Sequence, residues 1–211
     1  MYQPPHFRED RPDIRHGLIR AHPLGLLVTA GNAGPVANPI PFILDEAASP
    51  LGTLRAHLSR ANPQWRDFDP AQDALVVFQG TETYITPSWY ETKREHGKVV
   101  PTWNYAIVQA RGRMRIIEDP AWLLEQVTAM TSTQEAARQE PWAVGDAPPE
   151  FLAAQIKGIV GVEIEIAQIE GKWKVSQNRP EADRRGVAAG LRALDAEQAR
   201  RMADLVDSRG P

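Results

Sequence analysis

The sequence of 211 residues contains no cysteine, which excludes disulfides, a thiol nucleophile and thiolate metal ligands. It has no apolar run near the roughly 18 residues that a membrane-spanning helix needs. The N-terminal segment MYQPPHFRED lacks the apolar centre of a secretory signal. The net charge of −3 provides no electrostatic basis for binding nucleic acid. From these absences we expect a cytoplasmic protein without a direct nucleic-acid surface.

The sequence also lacks the motifs of several enzyme classes. G-x-S-x-G, the Walker A loop, G-x-G-x-x-G and H-E-x-x-H are all absent. The histidines are not spaced as metal ligands. A helix-turn-helix pattern is also lacking: the second helix, predicted at 133–139, is short and would bring the acidic Glu135 close to the DNA phosphates. The sequence therefore indicates no catalytic acid, base or nucleophile and no metal site.

What the sequence does have is a dense aromatic stretch, TYITPSWYETKREHGKVVPTWNY, at residues 83–105. Rings offer flat faces for stacking, and the hydroxyl, amide and ammonium groups between them can fix the orientation of a flat ligand with polar edges. The same stretch is equally compatible with a proline-rich connection that its aromatic residues anchor to a core. Both interpretations stay open at this point.

Two apolar runs, 24–29 and 36–44, flank the turn AGNAG and predict a β-hairpin. Pro39 and Pro41 lie in the second run and cannot donate to a strand ladder, so this strand is expected at a sheet edge or at a bulge. Backbone groups freed there could face a ligand, or the strand could be a plain edge.

A third strand, 51–58, leads directly into a helix start at Asn62-Pro63. His57, Ser59 and Arg60 stand at this junction. A hydroxyl, a guanidinium and outward backbone N–H groups could bind a phosphate. A capped surface turn with a solvated arginine would look the same in sequence.

Further strands are predicted at 73–79, 83–86, 106–117, 159–166 and 172–176. The strand at 106–117 would place Arg111, Arg113 and Arg115 on one face, to meet either phosphates or neighbouring acidic residues. Helices are predicted after Asp119-Pro120, near 149–157, and at the C-terminus, where Asp195 and Gln198 form a capping box. Hairpin connections dominate, so we predict an α+β fold, mainly antiparallel β, with a barrel and peripheral helices.

Taken together, these stretches resemble the PaiB family of FMN-binding negative transcriptional regulators. The resemblance runs nearly end to end and is carried by LGTLRAHLSRANPQW (51–65), YITPSWYETKREHGKVVPTWNY (84–105), IVGVEIEI (159–166) and GKWKVSQNRPEADRRGV (171–187). It implies a split β-barrel of the FMN-binding type, related to pyridoxamine phosphate oxidase, and a homodimer that holds FMN at the subunit interface.

The resemblance also implies a set of cofactor-binding residues. It places the FMN phosphate at His57, Ser59 and Arg60, and the flavin ring or ribityl chain along Asn38, Pro39 and Ile40. We expect Trp103, Asn104, Lys174 and Gln177 to close the site. Histidine is usual in the family at two positions that here hold Pro39 and Gln109. An FMN-binding split-barrel domain is predicted over 1–180, including a helical insertion at 119–157, followed by a helical arm over 181–211.

The expected function is that of a homodimeric FMN-binding protein used in negative transcriptional regulation, through the flavin or a protein partner. The alternative is a flavin-dependent oxidoreductase that uses a nicotinamide nucleotide. The acidic balance and the missing recognition motif argue against direct DNA binding.

Overall fold

The computed structural model of the chain describes residues 1–31 and 34–209. Part of the turn predicted at AGNAG, namely Asn32 and Ala33, therefore lies outside the described residues. The strands are β1 (Arg8–Glu9), β2 (Leu24–Gly31), β3 (Gly34–Pro41), β4 (Ile43–Asp45), β5 (Thr53–Ser59), β6 (Ala74–Ile85), β7 (Thr102–Gly112), β8 (Met114–Ile117), β9 (Ile159–Glu165) and β10 (Gln168–Lys174). The α-helices are α1 (Pro12–Ala21), α2 (Gln64–Asp67), α3 (Glu91–His96), α4 (Pro120–Glu135), α5 (Pro149–Lys157), α6 (Glu181–Ala193) and α7 (Glu197–Ser208). An α+β fold that is mainly antiparallel is confirmed.

The chain divides into two compact units. The first comprises Met1–Leu18, Gln79–Val108 and Glu170–Pro211, and the second comprises Ile19–Phe78 and Gln109–Ile169. Several elements, β6 and β7 among them, have residues in both units. This division is by compactness and differs from the functional division predicted at residue 180, which stays a prediction.

In the second unit, β2 pairs with β3 and with the first half of β6, while β4, β5, β9 and β8 form a separate antiparallel sheet. The side chains of β5 and β9 alternate, so Leu54, Ala56 and Leu58 are buried with Val160, Val162 and Ile164. The opposite face of the same strands carries Arg55, His57, Ser59 and Glu163, because successive side chains of a strand point to opposite faces.

Helix α4 begins where the sequence predicts it. Both carboxylate oxygens of Asp119 accept hydrogen bonds, from the backbone N–H of Ala121 at 3.2 Å and of Trp122 at 3.4 Å. A Cβ at Gly161 would lie 2.4 Å from the Trp122 ring, so glycine is needed for the indole to pack on β9. The separate helix predicted at 133–139 is wrong. Neither proline nor glycine interrupts the chain after Pro120, and α4 continues to Glu135.

The long strand predicted at 106–117 is interrupted at Arg113, where the chain leaves one sheet for the other. Gly112 permits the change, because a Cβ there would lie 1.9 Å from the carbonyl oxygen of Glu165. Of the three arginines predicted on this strand face, Arg113 pairs with Asp73 at 3.0 Å and Arg115 with Glu163 at 2.8 Å. The acidic-neighbour interpretation therefore holds for those two.

In the first unit, β1, β10, β7 and the second half of β6 are neighbours in that order. The strands predicted separately at 73–79 and 83–86 are one strand, β6. Helices α6 and α7 bury an apolar set that includes Val187, Leu191, Met202 and Val206. Helix α6 also packs against Trp89, whose backbone oxygen would lie 2.0 Å from a Cβ at Gly186.

The capping box predicted for α7 is wrong. Its N-cap is Ala196, without a side-chain cap, and Asp195 has a φ of 51°. The carboxylate of Asp195 instead pairs with Arg200. The Gln198 amide donates to the carbonyl of Glu82 on β6 at 2.7 Å. A local ion pair and a tertiary hydrogen bond have replaced the capping contacts here.

Candidate functional site

The predicted phosphate turn in the second unit is closed by its own hydrogen bonds. The Arg60 N–H donates to the carbonyl of Gly158 at 2.8 Å, and the Asn62 N–H donates to the carbonyl of Ser59 at 2.9 Å. The Ala61 N–H donates to the Ser59 hydroxyl at 3.3 Å. The Asn62 side-chain oxygen accepts from the Gln64 N–H at 3.0 Å, but the N-cap of α2 is Pro63, one residue later than the sequence predicts. These backbone donors are used within the protein.

The Arg60 guanidinium is similarly engaged. It donates to the carboxylate of Glu118 at 2.5 Å and to the carbonyls of Lys157 at 3.0 Å and Ile159 at 3.1 Å. These bonds tie the end of β5 to the end of α5 and the start of β9. Arg60 would have to exchange at least the Glu118 contact in order to bind a phosphate.

His57 and Ser59 share the face of β5 that carries Arg55. Burial lowers the pKa of the His57 imidazole. Its Nδ1 is buried and finds no hydrogen-bond partner among the described residues, whereas Ser59 is exposed. The structure thus brings His57, Ser59 and Arg60 together at one strand end, and a neutral imidazole is the form that this setting favours.

The other predicted residues of the second unit divide between the two faces of β3. Pro39 is exposed on one face, whereas Asn38 and Ile40 point to the other. Ile40 is buried, and the Asn38 amide donates to the side-chain oxygen of Gln64 at 2.9 Å.

Gln64 is a structural residue that the sequence argument missed. Its side chain is buried, and the amide nitrogen donates to the carbonyl of Leu27 and the hydroxyl of Thr29, both at 3.1 Å, and to the carbonyl of Val36 at 3.3 Å. Gln64 therefore holds the β2–β3 hairpin to α2. The only sequence signal is its place two residues after Asn62, at the predicted start of a helix.

In the first unit, the predicted residues of β7 and β10 are neighbours. The buried Asn104 amide donates to the Ser176 hydroxyl at 2.9 Å. The Lys174 ammonium donates to the hydroxyl of Thr102 and to the carbonyl of Trp103 at 2.6 Å. The Trp103 ring is 53% exposed and meets Tyr84 edge to face, with 6.2 Å between ring centroids. This corner combines an open aromatic surface with a positive charge.

Gln177 lies in the turn that follows β10. Its side-chain oxygen accepts from the Val175 N–H at 2.8 Å, and its amide donates to the Trp173 carbonyl at 2.5 Å. Between them, Ser176 has a φ of 68°. Gln177 therefore stabilises the turn after β10, and its amide is occupied there.

Three cations crowd this part of the first unit. Lys172 is buried, with its ammonium 5.3 Å from the centre of the Tyr105 ring, and the Arg179 guanidinium lies 4.7 Å from that of Tyr90. Burial first, and then the charges of Lys172 and Arg179, lower the pKa of the Lys174 ammonium. In the part of the chain that the structure describes, none of the three forms an ion pair with a carboxylate. The cluster of Lys172, Lys174 and Arg179 would therefore gain from an anion.

The second unit also exposes an apolar sheet face. Leu26 lies between Pro39 and Val77 in the register, and Val28 lies between Ala37 and Leu75, so these side chains share one face. None of them is buried, and Leu24 on the same face is 63% exposed. The apolar sheet face consists of Leu24, Leu26, Val28, Ala30, Pro35, Ala37, Pro39, Pro41, Leu75 and Val77.

No helix among the described residues is long and apolar enough to cross a membrane. Within the same residues, no cluster of histidine and carboxylate side chains could hold a metal ion.

Solved structures with a similar fold include two flavin proteins. The FAD and heme binding protein from Mycobacterium smegmatis superposes with a TM-score of 0.59 at 17% identity, covering 87% of this chain and 80% of that one. The flavocytochrome Anf3 from Azotobacter vinelandii gives 0.57 at 15% identity, covering 79% and 69%. These likenesses define the class of fold: a split barrel of the flavin-binding type, as the sequence predicts.

Sequence comparison then gives the family. The family model described as "Putative FMN-binding domain" matches residues 1–168, and the chain belongs to that family. The chain is 32% identical over 209 residues to "Protease synthase and sporulation protein PAI 2" of Bacillus subtilis, covering 99% of this chain and 98% of the relative. It is 34% identical over 237 residues to the uncharacterized protein AN0679 of Emericella nidulans, with 96% and 94% covered. The predicted PaiB resemblance is confirmed.

FMN is the cofactor that this family assigns to the chain. The residues of the first unit fit it chemically. Exposed Trp103 and Tyr84 offer ring faces or edges for the flavin, and the uncompensated cluster around Lys174 offers positive charge for a phosphate. Lys174 and Gln177 lie beyond the matched residues 1–168, although the relation to PAI 2 extends over nearly the whole chain.

Proposed function

We propose that the protein acts as a homodimer that binds FMN and serves in negative transcriptional regulation, through the flavin or a protein partner. The observation that carries the dimer is the apolar sheet face. It extends over three strands and includes no charged residue. Monomeric proteins seldom expose contiguous apolar surface of this kind, and a two-fold axis lets one patch cover its own copy.

The FMN-binding residues of the proposal are those predicted from the sequence. They are Asn38, Pro39, Ile40, His57, Ser59, Arg60, Trp103, Asn104, Lys174 and Gln177. The hydrogen bonds that Lys174 and Arg60 already make indicate which of the two is more available to a phosphate. The Lys174 ammonium has only neutral acceptors, whereas the Arg60 guanidinium already contacts the Glu118 carboxylate. We therefore expect Lys174 to contribute more to phosphate binding than Arg60.

The regulatory part of the proposal is supported by the relative named "Protease synthase and sporulation protein PAI 2". It does not include direct contact with DNA. Arg184 donates to the carbonyl of Val206, and the other arginines of the C-terminal helices are paired with acidic residues: Arg185 with Glu181, Arg192 with Asp204 and Asp207, Arg200 with Asp195, and Arg201 with Glu197. A helix pair with its charges matched in this way offers little to the phosphate backbone. The cytoplasmic location expected from the sequence and the arm at 181–211 remain part of the proposal.

The dimer is tested by placing a charge on the apolar sheet face. Leu26→Asp should leave the protein folded, since Leu26 is 40% exposed, but should weaken self-association by about a hundredfold because a desolvated carboxylate would meet an apolar surface. Val100→Asp is the matched control, because Val100 is 65% exposed and lies on no sheet. Sedimentation equilibrium measures both. A wild-type monomer at micromolar concentration, or equal association of the two variants, would refute the proposed interface.

The flavin and the function are tested separately. The purified protein should take up FMN, as measured by its absorption spectrum before and after addition of FMN. NADH or NADPH oxidation that requires FMN across a panel of acceptors would favour the oxidoreductase alternative. A gel shift on its own promoter at two salt concentrations would show whether DNA is contacted after all.

A further inference from the structure

Helices α4 and α5 of the second unit enclose a cavity of about 610 Å³ that no residue of the proposed FMN set other than Arg60 lines. This volume lies within the range typical of small-molecule sites, about 300 to 1,000 Å³. The lining residues are Arg60, Glu118, Pro120, Leu123, Leu124, Pro149, Leu152, Ala153, Ile156 and Lys157.

The lining of this cavity is mostly apolar, with a few charged side chains. The walls are formed by leucine, isoleucine, alanine and proline, and Leu124 is still 41% exposed although it is apolar. The polar groups are limited to Arg60, Glu118 and Lys157. A ligand that covered the walls would remove apolar surface from water, which is the main favourable contribution to such binding.

The charged side chains that line the cavity favour an anionic ligand. Arg60 and Glu118 neutralise each other through their 2.5 Å contact. Lys157 is exposed, and its ammonium has no ion pair within the residues that the structure describes. One exposed positive charge is therefore left uncompensated in the lining of a mainly apolar cavity, and a compact cation of this kind attracts a carboxylate without demanding one geometry.

We propose that the cavity between α4 and α5 binds a small organic acid with an apolar body, such as a medium-chain carboxylate. The hydrocarbon part lies among Leu123, Leu152 and Ile156, and the carboxylate meets the Lys157 ammonium. The cavity shares only Arg60 with the proposed FMN-binding residues and gives the protein a second ligand. A regulator of this kind would respond to an apolar acid as well as to flavin.

Isothermal titration with octanoate tests the site on the full-length protein loaded with FMN. One octanoate should bind per chain, octanol should bind at least fivefold more weakly, and decanoate should bind about fifteenfold more tightly because each of its two added methylenes gains about fourfold when buried. FMN affinity should be unchanged by saturating octanoate.

Two pairs of variants locate the ligand. Ala153→Trp should abolish octanoate binding by filling the cavity, whereas Ala154→Trp should not, because Ala154 is equally exposed on the same helix but does not line the cavity. Lys157→Gln should raise the Kd for octanoate about fivefold or more while leaving octanol binding unchanged. Lys98→Gln, which changes an exposed lysine far from Lys157 in sequence, should have no effect on octanoate binding.

Three outcomes would overturn the proposal. They are no saturable octanoate binding at millimolar concentration, equal loss of binding in the Ala153 and Ala154 variants, and competition between octanoate and FMN. Competition would mean that the cavity belongs to the flavin site. Since FMN uptake is measured on the same samples, failure of this proposal is distinguishable from failure to bind flavin.

Discussion

The turn at Ser59–Gln64 in the second unit and the cation cluster in the first look alike in sequence but differ in their contacts. Both combine basic side chains with hydroxyls and amides. In the turn, Arg60 and Gln64 use their donors on carbonyls and on Glu118. In the cluster, Lys172, Lys174 and Arg179 contact rings and neutral oxygens, and no carboxylate offsets their charge. Residue type therefore shows which groups could bind an anion, but only their contacts show which are free to do so.

The largest expected effect is on stability and concerns Gln64, whose side-chain donors are all used within the protein. Gln64→Ala would remove the amide that bridges β2, β3 and α2 and would leave the carbonyls of Leu27 and Val36 without that partner. Since a buried unsatisfied polar group costs about 1 to 3 kcal/mol, we expect a loss of about 3 kcal/mol in the free energy of unfolding, measured by urea denaturation. Gln72→Ala, at an exposed position, is the control and should change stability by less than about 0.5 kcal/mol. Equal effects at the two positions would contradict the role given to Gln64.

The second prediction concerns Glu9 of the first unit, a carboxylate that forms ion pairs with Arg11 and Arg209. Burial by itself would raise the pKa of the Glu9 carboxyl, but hydrogen bonds from Arg11 and Arg209 outweigh it and lower the pKa from 4.5 to about 2. A lowered carboxyl pKa stabilises the folded state above pH 4.5, and this contribution is lost as the pH falls towards 2.

Glu9→Gln should therefore cost about 2 kcal/mol at pH 7, after discounting for solvent screening, and almost nothing near pH 2. Denaturation curves at pH 7, 4 and 2.5 measure the difference between the two proteins. A difference that does not change over this range would show that Glu9 acts by packing and not by its charge.

The third prediction compares the two regions directly. Lys174→Gln should raise the Kd for FMN about tenfold, or about 1.4 kcal/mol, and should leave the stability unchanged or slightly higher, because burial and two neighbouring cations disfavour the charged ammonium. Arg60→Gln should cost about 1 kcal/mol of stability and change the Kd for FMN less than threefold. Flavin fluorescence quenching gives the Kd. If Arg60→Gln weakened FMN binding more than Lys174→Gln does, the phosphate would be assigned to the Ser59–Arg60 turn instead.

The elements that were predicted well have local signals. Asp119-Pro120 at the start of α4 and the alternation of Ile159–Glu165 need no distant partner, and both are confirmed. Two of the errors involve contacts that the predicted pattern did not include. Asp195 pairs with Arg200 and Gln198 bonds to β6, so the capping box is not formed. Gly112 lets the chain pass close to Glu165, and the predicted long strand breaks there.

The candidate site follows the same pattern. The sequence predicted His57, Ser59 and Arg60 because they lie close together along the chain, and the family resemblance predicted Trp103 with Lys174, whose ammonium donates to the Trp103 carbonyl. It missed Gln64, Lys172 and Ser176, whose contacts are made with residues far away in sequence. It also could not show the apolar sheet face, which requires the register between β2, β3 and β6.

By itself, the sequence determined the absence of cysteine chemistry, the mainly antiparallel α+β fold, the family and hence the FMN cofactor, because composition, periodicity and long local motifs carry that information. Only the tertiary structure decided which donors are already used, as Arg60 is by Glu118, and which charges stay uncompensated, as Lys174 does. The physical reason is that hydrogen-bond satisfaction and desolvation depend on groups that folding brings together from distant parts of the chain.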